Sequence, residues 1–326
     1  MVKVQYKTKH NVVSNKRLFS MAILLGVSIS SCFAAPSLAS LRGNYQTSIQ
    51  VAPTMQMPLP KPPAALFDSV RYDSDGMSLA AFVTPDPNDG DKHPAIVWIT
   101  GGESNTLADF WRKGSRQNDQ TASPYRDAGV IMMFPTLRGG NDNAGNIEVN
   151  YGEVDDVIAA AEYLATLPYV DSSRIYLGGH STGGTLALLV SEVASSTHPE
   201  LFKEVISFGA TQETMFLQEV DFTGDEQREM DLRAPANWTN DIRMPTWIIE
   251  GKRDGNYRDL KPMCDKNKSP MLHCAFIARH EHFSVLYPLN RHLAQQIMAD
   301  EPLSIDSMKS WAIKSNIKTN KPSALL

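Results

Sequence analysis

Seven residues near the middle of the chain, Gly178-Gly179-His180-Ser181-Thr182-Gly183-Gly184, constrain its folding more than any other stretch. The short run Arg174-Ile175-Tyr176-Leu177 precedes them, and Thr185-Leu186-Ala187-Leu188-Leu189-Val190 follows. This reads as strand, tight turn, helix. The G-x-S-x-G spacing puts Ser181 in a turn so sharp that its backbone is strained, and only small neighbours at Gly179 and Gly183 leave the room. Such a turn lifts the serine hydroxyl clear of the sheet. The helix starting there aims its free N–H groups and the positive end of its dipole at the same point.

The rest of the chain supplies the layers this turn demands. Residues 67–72 and 78–83 alternate around Asp73-Ser74-Asp75-Gly76 and predict an opening β-hairpin. Residues 95–100, 130–134, 175–178, 204–208, 246–250 and 272–278 predict buried strands. Helices are expected over 154–167, from the serine turn to about 194, and over 285–299. Strands alternating with helices imply an α/β fold, a mostly parallel sheet covered on both faces, with the hairpin as an antiparallel edge. At 326 residues and 42% hydrophobic content, one large domain over 66–300 is expected. Residues 210–243 break the rhythm with Met215, Phe216, Phe222, Met230 and Trp238 among acids, and predict a small helical insert over the carboxyl edge of the sheet. Residues 40–65 carry Pro53, Pro58, Pro60, Pro62 and Pro63 and read as an extended linker or surface clamp, with order beginning near Leu66. Residues 301–326 form a weakly patterned tail.

Residues 1–39 stand outside the fold. Lys3, Lys7, Lys9, Lys16 and Arg17 make a basic leader, and residues 18–29 an apolar stretch too short for a comfortable membrane span. A signal peptide is expected, and with it export to the periplasm or a membrane-anchored lipoprotein of a bacterium. Ile29-Ser30-Ser31-Cys32 resembles a lipobox, which makes Cys32 a lipidation candidate; cleavage after Ala35 or Ala39 is the alternative. The whole chain has a net charge of −5; without residues 1–31 it keeps 26 basic against 36 acidic side chains, −10. That balance argues against a nucleic-acid partner. Cys264 and Cys274, ten residues apart across a polar stretch, are expected to form a disulfide in an oxidising compartment. Their spacing fits no zinc pattern.

A serine hydroxyl is a weak nucleophile at neutral pH. It needs a base, a group to orient that base, and donors for the oxyanion. The G-x-S-x-G turn resembles the nucleophile elbow of the α/β-hydrolases, and that resemblance implies partners in the order Ser, acid, His. Asp254, in the glycine-rich turn after strand 246–250, is the expected acid, with Glu250 the alternative. His282 is the expected base, at the head of the last helix; His280 is the alternative, read as a loop residue or substrate contact. The oxyanion donors expected are the Thr182 N–H, supplied by the elbow, and the Gly102 N–H of the Gly101-Gly102 loop. No metal or other cofactor is expected. Arg138 is read as paired with internal carboxylates such as Glu153 or Asp155 rather than with substrate.

From about residue 67 to 298 the chain resembles the α/β-hydrolases of the prolyl oligopeptidase and dienelactone hydrolase group. The resemblance rests on Leu137-Arg138-Gly139-Gly140, Gly152-Glu153-Val154-Asp155-Asp156-Val157, Val170-Asp171-Ser172-Ser173-Arg174-Ile175-Tyr176-Leu177, the elbow itself and His282-Phe283-Ser284-Val285-Leu286. It implies Ser181, Asp254 and His282 as the triad of a serine hydrolase that forms an acyl-enzyme on a small ester or peptide. The oxyanion loop reads Thr100-Gly101-Gly102 where the family often has His-Gly-Gly, and no stretch corresponds to the N-terminal β-propeller of the large oligopeptidases. Esters and short acyl substrates therefore stand open beside peptides. The competing expectation is a non-catalytic binding lipoprotein on the same fold.

Overall fold

A computed structural model describes residues 35–53, 57–215, 217, 220–221, 223–304 and 306–310. The leader over 1–31, Cys32, Phe216, Phe222 and the end of the tail lie outside the described residues.

Eight strands form one sheet in the order β1-β2-β4-β3-β5-β6-β7-β8. They are β1 (Asp68–Ser74), β2 (Met77–Val83), β3 (His93–Ile99), β4 (Ile131–Pro135), β5 (Val170–His180), β6 (Glu204–Phe208), β7 (Thr246–Gly251) and β8 (Leu272–Ile277). β1 and β2 are antiparallel, and β2 runs antiparallel to β4. From β4 through β8 every pairing is parallel. The hairpin turns at Asp75 and Gly76, both at positive φ (52° and 74°), the Asp-Gly chemistry that matches the twist of the flanking strands. β4, β6 and β7 are buried at every residue, as strands covered on both faces must be.

Helices α1 (Leu38–Gly43), α3 (Gly152–Ala165) and α4 (Thr182–Thr197) share an apolar cluster on one face. Helices α2 (Ser123–Ala128) and α7 (Leu286–Met298) share a second cluster on the other. Helix α5 (Glu226–Asp231) lies in the insert, and α6 (Tyr257–Lys266) precedes β8. The Cys264–Cys274 disulfide joins α6 to β8, with the two Cα atoms 6.3 Å apart. Gly178 is obligatory in β5, because a Cβ there would stand 2.6 Å from the ring of fully buried Trp98.

One reading is corrected. Regular structure is present well before Leu66, with helix α1 at Leu38–Gly43. Leu38 and Arg42, four apart on α1, both turn inward, and Ile49 is fully buried. The prolines that suggested a linker start only at Pro53, so they say nothing about residues 38–51. This N-terminal strap is held by the Leu38 N–H on Asp241 (2.7 Å) and by an antiparallel bridge between Val51 and Ile147. Among its described residues the insert holds, beyond α5, the short 3-10 turns Pro235–Asn237 and Thr239–Asp241. Its organising residue is Glu229. Tyr45 Oη (2.9 Å), Thr47 Oγ1 (2.8 Å) and Ser48 N–H (2.7 Å) from the strap, and Arg233 Nη1 (2.5 Å), all donate to that carboxylate. Burial opposes the charge, yet these donors hold Glu229 down to about 2. The tail docks where Leu303 and Met308 bury themselves in the α7 cluster.

Candidate active site

Ser181 joins β5 to α4 with φ 56° and ψ −119°, a sparsely populated conformation for a residue with a Cβ. The surroundings over-determine it. Its N–H donates to the Phe208 carbonyl at the end of β6 (2.8 Å), and its own carbonyl accepts the Thr185 N–H in the first turn of α4 (2.9 Å). The neighbouring glycines leave the space. A Cβ on Gly179 would lie 2.2 Å from the Gly183 carbonyl oxygen, one on Gly183 would lie 2.5 Å from those of Ile99 and Thr100, and one on Gly184 would lie 2.5 Å from that of Phe208. The head of α4 is thus wedged among the ends of β3, β5 and β6.

His282 and its carboxylate come from the next two strands along. His282 Nδ1 donates to Glu250 Oε2 over 2.8 Å. Glu250 is the penultimate residue of β7 and is fully buried. Its remaining capacity is filled by the N–H groups of Gly251 (2.5 Å to Oε1) and Asn256 (3.2 Å to Oε2). Gly209 and Gly255 leave the pair its space: a Cβ on either would lie 2.5–2.6 Å from His282 and 3.0–3.1 Å from Glu250 Oε2. With the Nδ1 proton committed to Glu250, the lone pair of the neutral ring sits on Nε2. Ser181 and His282 occupy one rim of the sheet, since Phe208 holds the Ser181 N–H and the next residue, Gly209, abuts the His282 ring.

Asp254, expected to orient His282, makes no hydrogen bond or ion pair with it. It is exposed, and its Oδ1 accepts the N–H of Gly255 (2.8 Å), so it shapes its own turn. The signal for Glu250 was present: a carboxylate closing the apolar strand Thr246-Trp247-Ile248-Ile249 must be buried, and a buried carboxylate needs a partner. His280 faces inward, its Nδ1 3.0 Å from the Ser284 carbonyl.

His180, which sequence reasoning passed over, is fully buried against the same pair. Its ring lies 4.5 Å from that of His282, centroid to centroid, and 5.4 Å from that of Phe283. Burial, then the neighbouring His282, push His180 down to about 3, which favours its neutral form at neutral pH. Thr182 heads α4, and its hydroxyl donates to the Gly102 carbonyl (2.6 Å), which fastens the 101–103 loop to the elbow. Gly102 has a φ of 80°, open to glycine and strained for other residues. Arg138 is internal. Its Nε and Nη2 grip Asp156 at 3.0 and 2.9 Å, and its Nη1 lies 3.2 Å from Glu148. The pairing is with Asp156 and Glu148 rather than the Glu153 or Asp155 of the sequence reading.

A sheet in this order, with a strained serine heading the helix after β5 and a Glu–His pair from β7 and the segment after β8, is the architecture of the α/β-hydrolase fold. The resemblance drawn from the sequence is upheld by comparison: residues 116–257 match the prolyl oligopeptidase family. Dipeptidyl-peptidase 5 of Porphyromonas gingivalis is 27% identical over 157 residues, 44% of this chain and 22% of that protein. Feruloyl esterase B of Neurospora crassa is 26% identical over 161 residues, 46% of this chain and 52% of that one. An esterase from Pyrobaculum calidifontis shares the fold with a TM-score of 0.55 at 16% identity, over 73% of this chain and 87% of that one. The chain thus spans about half, or less, of the length of the two relatives matched by sequence.

Proposed function

We propose that this protein is an exported serine hydrolase that cleaves ester or peptide bonds through an acyl-enzyme, with Ser181, His282 and Glu250 as its triad. The observation that carries the reading is the 2.8 Å contact between His282 Nδ1 and Glu250 at the rim where Ser181 is held in a strained turn. Ser181 Oγ attacks the substrate carbonyl as His282 Nε2 takes its proton. Glu250 fixes the imidazole tautomer and stabilises the imidazolium. The N–H groups of Thr182 and Gly102 receive the oxyanion, each worth about 3–4 kcal/mol in the transition state. The imidazolium then protonates the leaving alcohol or amine, and a water deprotonated by His282 releases the acyl group from Ser181. The same steps serve esters and amides, and the two sequence relatives bear names of both kinds, a dipeptidyl peptidase and a feruloyl esterase.

Export is supported by the basic and apolar leader and by the Cys264–Cys274 disulfide, which suits an oxidising compartment. A fluorophosphonate probe tests the chemistry: wild type labels, Ser181→Ala does not, and a folded wild type that stays unlabelled refutes the reading. p-Nitrophenyl esters of rising chain length, assayed beside aminoacyl-nitroanilides, show which bond is preferred.

A further inference from the structure

We infer that His180 is a positioning residue, a neutral strut that ties the nucleophile turn, the oxyanion loop and the base into one rigid unit. The inference rests on the triad reading above and adds a residue to it. The nucleophile turn, the oxyanion loop and the base meet at this one residue. His180 immediately precedes Ser181, so its backbone is part of the elbow. Its Nε2 lies 3.2 Å from the backbone carbonyl of His282. A carbonyl only accepts, so Nε2 carries the proton and donates. On the other side the oxyanion loop closes down on both ends of the residue: a Cβ on Gly101 would lie 3.0 Å from His180 Nδ1 and 3.0 Å from its carbonyl oxygen. The ring meanwhile packs on the His282 ring at 4.5 Å.

The physical need is plain. Glu250 fixes one edge of the His282 imidazole but leaves the ring free to swing about that bond, and the segment after β8 that carries His282 lies outside the regular elements. His180 removes that freedom by holding the His282 backbone through a hydrogen bond and its ring face through packing. A base displaced by a fraction of an ångström loses rate without losing substrate affinity. A charged His180 would repel the imidazolium that forms in the transition state, and its burial prevents that charge.

The test compares three proteins on one p-nitrophenyl ester. His180→Phe keeps a ring against His282 and loses the donor, whereas His180→Gln loses the ring and keeps an N–H donor within reach of the carbonyl. Expected for His180→Phe is a kcat about 10-fold below wild type at unchanged KM, with an undiminished fraction of molecules labelled at completion by fluorophosphonate. His180→Gln is expected within about 3-fold of wild-type kcat. Should His180→Phe not melt cooperatively, His180→Met replaces it under the same criteria. A donor-less variant that turns over as fast as wild type, a loss carried by KM alone, or a His180→Gln as impaired as His180→Phe overturns the inference while the triad reading stands. A wild type that neither hydrolyses nor labels overturns both.

Discussion

Two carboxylates four residues apart, Glu250 and Asp254, compete to orient His282, and the difference between them is burial. Glu250 is wholly enclosed, with two backbone donors and the imidazole around it; Asp254 faces solvent and braces a glycine turn. Glu250→Gln is expected to lower kcat by about 10³–10⁴-fold, because an amide cannot hold the tautomer that leaves the Nε2 lone pair free. Asp254→Asn is expected to stay within about 2-fold of wild type. Steady-state kinetics of the two variants on one ester decide between them, and equal losses would restore Asp254 to the site.

Among the elements, the strap at residues 37–51 and the insert around α5 are the least regular parts, and a single carboxylate couples them. Arg233 is fully buried beside Glu229, so removing the acid strands a guanidinium in the interior. Glu229→Ala is expected to cost about 3–5 kcal/mol in urea unfolding at neutral pH. The pH dependence follows from the sign of the shift. Glu229 in the folded protein sits at about 2, below its ordinary 4.5, so its contribution is complete above 4.5 and is lost as pH falls toward 2. The stability gap between wild type and Glu229→Ala should narrow over that window, and a gap that stays constant would show that the carboxylate charge is not what holds the strap.

For the molecule as a whole, the described residues from Pro36 onward pack as one compact unit, and that limits where a leader can be removed. Ser37 caps α1, its hydroxyl accepting the Ser40 N–H, and the Leu38 N–H is fixed on Asp241. Processing at Cys32 or after Ala35 keeps these contacts, whereas a cut after Ala39 removes the cap and the buried Leu38. If the leader directs export as proposed, intact-mass measurement of the protein produced with its leader in a bacterium is expected to place its first residue at Cys32, carrying acyl chains, or at Pro36. A first residue later than Leu38 would contradict the anchoring role of the strap.

Much of this protein was legible in one dimension because its information is local. The elbow is written in contiguous glycines that the turn makes obligatory, and the alternating strands and helices are written in apolar runs of fixed length. His282 was legible too, as a histidine delivered by the last strand to the head of the last helix. The identity of its partner was not, because both candidate acids follow the same strand and the choice depends on which one the ends of β6, β7 and the His282 loop enclose. His180 carried no signal, since a residue between a glycine and a serine says nothing of the loops that will pack on it. The strap was misread for the same reason: a six-residue helix has too short a pattern to show amphipathicity, and only the apolar cluster it shares with α3 and α4 buries its Leu38. Sequence determined which pieces form, through steric limits and periodicity within each segment; tertiary structure decided which charges are buried together, because desolvation is a property of neighbours distant in the chain.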